Sequence, residues 1–150
     1  MGYTIYYEVK KVASSTENNR KKWANTLLKI QGAWNRIPET FCDDDGNEYH
    51  RPVLCGGSGS GKPYLKGDMI CFNGNEATGE ACEGFLFRPF AAPGLCEWFC
   101  KTRFEAYTIA VVIALKCINK YFNKSVEMHS DGDDKAIWGL ADRIIAELDA

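Results

Sequence analysis

The chain has seven cysteines but no Cys-x2-Cys pair, only two histidines, and no basic run longer than Arg20-Lys21-Lys22. Without the cysteine pair the usual signature of a structural zinc site is missing. A formal charge of −2 without a basic stripe argues against duplex nucleic acid as a main partner, because affinity for duplexes is built from clustered cations. The longest apolar run, residues 107–115, is interrupted by Thr108 and closed by Lys116, too short to span a bilayer. The first eight residues alternate and then turn charged, so they lack the apolar core of a signal peptide. The odd cysteine count and the absence of a secretion signal lead us to expect reduced thiols and a cytoplasmic location.

What is present is ordinary globular material. The 150 residues are 45% hydrophobic and 25% charged, enough for one domain with a proper core. Residues 3–12 are β-branched and aromatic and predict a strand. Ser14 with Glu17 has capping-box spacing, and Trp23, Leu27, Ile30 and Trp34 then mark one face of an amphipathic helix. Residues 38–68 predict an irregular, loop-rich insertion holding an acidic turn and a Gly/Ser-rich stretch. Strands are expected at 69–73, 84–90 and 98–104, with a turn at Pro93-Gly94. A largely buried helix is expected over 105–122, then a strand at 125–130. A final helix is expected to open on Asp131, Asp133 and Asp134, whose charge suits the positive end of its dipole. The order predicts an α+β domain with a mainly antiparallel sheet and helices on one face. A ferredoxin-like core with an inserted hairpin is the specific expectation.

The segments MICFNG, EGFLF, WFCKTRFEAYTIAVVIALKCINKYF and VEMHSDG followed by Trp138 form a distinctive outline over residues 69–140. It comprises a Phe-Cys-Lys-Thr strand, a Tyr-containing apolar helix and a Ser-Asp-Gly turn before Trp. In this it resembles a family of small uncharacterised bacterial proteins. The resemblance implies one cooperative unit and no particular activity.

Several residue groups invite chemistry. Gly56, Gly57, Gly59, Gly61 and Lys62 fit the glycine-and-lysine part of a phosphate-binding loop, where backbone amides wrap the phosphates. Pro63 stands where a Mg²⁺-holding hydroxyl belongs, and no helix is signalled next, so a flexible connector is preferred. Asp43, Asp44, Asp45, Asn47 and Glu48 miss the spacing of a calcium loop and are expected to form a solvated turn. Cys42, His50 and Cys55 share a loop region, but independent thiols are preferred to a zinc site. Cys100, His129 and Asp131 end two expected strands and outline a thiolate nucleophile with its base, while strand alternation turns Cys100 inward and His129 outward. Lys101, Arg103, Lys116 and Lys120 form a candidate basic spot for a carboxylate, phosphate or acidic partner.

No catalytic arrangement outweighs its structural explanation. The expectation is a non-enzymatic protein without a cofactor that binds another macromolecule, most naturally a protein, through aromatic anchors such as Trp34 and Trp98. The alternative is a nucleotide- or phosphate-ligand binder using the loop from Gly56 to Lys62, with Gly59, Gly61, Lys62, Lys101 and Arg103 as contacts. The oligomeric state is left open.

Overall fold

The computed structural model describes residues 2–90, 97–132 and 134–150. The expected turn at Pro93-Gly94, together with Cys96 and Asp133, lies outside them. Among the described residues eight strands and three α-helices follow in the order β1 (Thr4–Val9), α1 (Glu17–Trp34), β2 (Thr40–Cys42), β3 (Glu48–His50), β4 (Tyr64–Lys66), β5 (Met69–Phe72), β6 (Phe85–Phe87), β7 (Glu97–Lys101), α2 (Thr108–Cys117), β8 (Val126–Ser130) and α3 (Lys135–Leu148). A π-helical turn, Ile118–Phe122, continues α2. The fold is α+β, and every pairing among the described strands is antiparallel.

The described strands divide among three small sheets: β7-β1-β8, the hairpin β2-β3, and the meander β4-β5-β6. In a ferredoxin-like sheet the first strand lies between the third and the fourth, and the second strand flanks the third. Here β1 lies between β7 and β8, which α2 connects, so three of those four places are filled. No described strand occupies the fourth, beside β7. The chain between α1 and β7 instead builds the other two sheets, so the expected insertion is larger than one hairpin and more regular than a loop.

Helix α1 buries the expected face, with Trp23 and Ile30 fully enclosed. Its N-cap is Thr16 rather than Ser14: the Thr16 hydroxyl accepts from the Asn19 amide at 3.1 Å, three residues on, as capping geometry requires. Trp34 is not a surface anchor. Its indole donates to the Ala110 carbonyl and its ring meets Phe72 edge-on, so it joins α1 to α2 and to β5. Helix α2 is buried around its whole circumference except at Lys116, because α1, α3 and the sheets surround it. Strand β7 stops at Lys101, short of the expected 104. Arg103 and Phe104 take φ of 52° and 60°, a left-handed turn that redirects the chain into α2. Thr102, fully buried at that corner, accepts from the Thr108 hydroxyl at 2.7 Å. No helix among the described residues is long and apolar enough to cross a membrane.

Candidate functional site

Alternation along the three strands of the main sheet sorts their side chains onto two faces. Ile5, Tyr7 and Cys100 point into the core. Tyr6 lies opposite Phe99 on β7 and opposite His129 on β8, so all three rings share the outer face in one row. The Tyr6 and His129 rings stack with centroids 5.0 Å apart, and Phe99 sits 6.5 Å from Tyr6. Phe99 is 61% exposed and Tyr6 37%, and no described helix covers them. An exposed aromatic row is informative, since large apolar groups of a sheet normally face its core.

The positions on either side of this row, along the strands, differ in charge. On one side Glu8 and Glu127 flank Lys10, whose ammonium lies 3.0 and 3.6 Å from their carboxylates, leaving one negative charge in excess. Glu8 and then Glu127 hold the Lys10 ammonium above its ordinary pKa. On the other side exposed Lys101 lies opposite Thr4, and the carboxylates of Glu83 and Asp131 accept from the amides of these two residues. The face therefore offers apolar rings with an acidic patch along one side.

The candidate nucleophile is not assembled. Cys100 is fully buried on the inner face, and its thiol donates to the Glu83 carbonyl. Burial, reinforced by Glu83, pushes that thiol up to about 12, the opposite of activation. His129 is on the far side of the sheet, and Asp131 accepts the Thr4 amide at 2.8 Å. The candidate basic spot also divides. Lys101 and Arg103 sit at the end of β7, Arg103 donating to the Ala81 carbonyl, whereas Lys116 pairs with Asp142 and Lys120 with Asp149.

The glycine stretch is a packed turn closed on itself rather than a free connector. The Gly56 amide donates to the Ser60 and Gly61 carbonyls, and the Gly59 amide to Gly56. These two amides are turned inward, away from any phosphate, and Lys62 is exposed. Gly59 has φ +91°, and a Cβ there would come within 2.8 Å of Glu76, so only glycine fits.

The acidic turn is structural in a way its composition does not reveal. Asp43 accepts from the amides of Asp45 and Asn47, the Asn47 side chain and the Tyr49 hydroxyl, closing the β2–β3 hairpin. Asp44 reaches across to α3 and accepts from the amides of Lys135 (3.0 Å) and Ala136 (2.6 Å). The expected capping by Asp131 and Asp134 is thus supplied from a distant hairpin. Asp134 is buried instead, accepting from Tyr3, Ser130 and Trp138. Gly132 lets the Tyr3 ring approach, since a Cβ there would lie 2.7 Å from it. The Ser-Asp-Gly turn and its tryptophan are therefore an interlock for the N-terminus. Among the described residues no three His, Cys, Asp or Glu side chains gather as a metal site.

The sequence reading missed Tyr6 and Phe99, although the alternation that turned Cys100 inward also turns Phe99 outward. It also missed a groove of about 760 Å³ beside β8, bounded by α2 and α3 and lined by Lys116, Lys120, Met128, His129, Trp138 and Asp142. No protein family, curated protein or solved structure matches the chain.

Proposed function

We propose that the protein is a non-enzymatic module that binds another protein through the open face of its main sheet, in a reducing, cytoplasmic setting. The observation that carries this reading is the row Phe99–Tyr6–His129, exposed across three strands with no described element over it. Aromatic rings are the usual anchors of protein interfaces, because they bury much area at little cost in rotamer freedom. The acidic patch at Glu8 and Glu127 favours a partner surface with a cation beside its apolar centre. The same carboxylates disfavour a nucleic-acid strand laid along the row. The free thiols of Cys42, Cys55, Cys71, Cys82, Cys100 and Cys117 suit a reducing compartment. Kinship with the small bacterial family of the resemblance belongs to the same proposal.

The test is affinity capture by the parent and by Phe99→Ala, followed by titration of the recovered partner in purified form. Loss of at least ~10-fold in affinity, about 1.4 kcal/mol, is expected for Phe99→Ala. Equal affinity for both proteins overturns the assignment of this face.

A further inference from the structure

We infer that the free edge of β8 is a second binding surface, which takes an extended polypeptide as an added strand in the groove beneath α3. The inference extends the protein-binding reading but uses a different surface, with only His129 in common.

The ladder geometry comes first. The register of β1 on β8, with Lys10 donating to Ser125 and Asp131 donating to Thr4, makes Tyr6↔His129 and Glu8↔Glu127 the hydrogen-bonded pairs. The N–H and C=O groups of Val126, Met128 and Ser130 therefore point away from β1, toward the groove. Val126 is already occupied: its amide donates to the Asn123 carbonyl, and its carbonyl receives the Asn119 side-chain amide. No described residue meets the backbone groups of Met128. The opposite edge of the sheet is closed only at the end of β7 among the described residues, where the Lys101 amide donates to the Glu83 carboxylate and its carbonyl receives the Glu83 amide. Edge strands are ordinarily blunted by proline, bulges or a covering segment; in β8 Asn119 and Asn123 cover Val126, and no described residue does the same for Met128.

The groove's chemistry then selects the occupant. Its cations are spoken for: Lys116 is 2.7 Å from Asp142 and lies over the Trp138 ring, and Lys120 bonds Asp149. A small anion would find no unpaired charge to hold it. What remains unmet is main-chain hydrogen bonding beside an apolar wall of Met128, Trp138 and Ile145. An extended peptide answers both, pairing its backbone with Met128 and turning alternate apolar side chains to that wall.

The probe is a peptide selected from a random phage-displayed library panned against the full chain. It is then synthesised with normal backbone and with N-methyl groups at alternate residues. In the complex, exchange of the Met128 amide with solvent should slow by at least about tenfold. One N-methyl register should abolish binding and the other leave it intact, and Phe99→Ala should bind like the parent. Failure to recover any binding peptide overturns the inference. So does a peptide that leaves Met128 exchange unchanged; if Phe99→Ala releases that peptide, the open-face reading stands while the edge-strand one falls. Protection of Met128 by self-association in sedimentation, without peptide, would replace the peptide by a second copy and equally overturn it.

Discussion

Replacing Asp44 by alanine removes the side-chain cap that the described residues supply to α3, from a residue 91 positions away from the amide it serves. Both carboxylate oxygens are used, one on Lys135 and one on Ala136, at the end of the helix where the amides are otherwise unpaired. Loss of a cap typically costs ~1 kcal/mol, within a range of about 0.5–2. Loss of an anion from the positive end of the helix dipole adds ~0.3–1 kcal/mol at an exposed site. The two overlap, since one carboxylate supplies both, so about 1–2 kcal/mol is expected. In a chain of this size that corresponds to a fall in Tm of roughly 3–6 °C. Urea unfolding should show a lower midpoint with an unchanged slope, because the surface exposed on unfolding stays the same. Asp45→Ala, one residue on and also exposed, serves as control and should stay within about 0.5 kcal/mol of the parent. Asp44→Asn keeps one acceptor and loses the charge, so it should fall between them. If Asp44→Ala and Asp45→Ala melt together, the hairpin does not cap α3 and the argument for its role fails.

Gly132→Ala would force a methyl group against the Tyr3 ring, so a loss of about 1–3 kcal/mol is expected by denaturant titration, and parent-like stability would refute the interlock. Ile113→Ala, at a fully buried position of α2, should cost about 2–5 kcal/mol. In thiol labelling mapped by mass spectrometry, exposed Cys42 should react in the native protein. Cys100 and Cys117, both pushed to about 12 by burial, should react only on unfolding, and labelling of Cys100 at the rate of Cys42 would contradict the burial assigned to it. Lys120, then Tyr121, hold the Asp149 carboxyl at about 2 against an ordinary 3.8. A carboxyl lowered by folding stabilises above its ordinary value, and that contribution fades as pH falls toward its folded value. Asp149→Asn should therefore flatten the acid limb of the stability curve between about pH 4 and pH 2, and an unaltered limb would refute the pairing.

Much of the framework was legible in order along the chain. The spacing of Trp23, Leu27, Ile30 and Trp34 identified α1 and its buried face, and the apolar density of residues 109–118 marked a central helix. The alternation around Cys100 turned that thiol toward the core, where it is fully buried. The open aromatic row was only half legible. Each ring's face follows from its own strand, but the row exists only because β7 and β8 both pair with β1 in one register.

By itself, then, the sequence determined what local periodicity encodes: which segments are helix or strand, which side of each is apolar, and hence an α+β fold. Side-chain period and burial are properties of a few neighbouring residues, and they survive in one dimension. Tertiary structure alone decided which partners distant groups find. Asp44 looked like a member of a solvated acidic turn and became the cap of α3. Asp134 looked like a capping acid and became the acceptor that holds Tyr3 and Trp138. Gly56 and Gly59 looked free and closed upon each other's neighbours. A polar group's role is set by the donor or acceptor that packing brings to it, often from ninety or more residues away. Neither composition nor spacing records that meeting, because it is made by the close packing of the elements between.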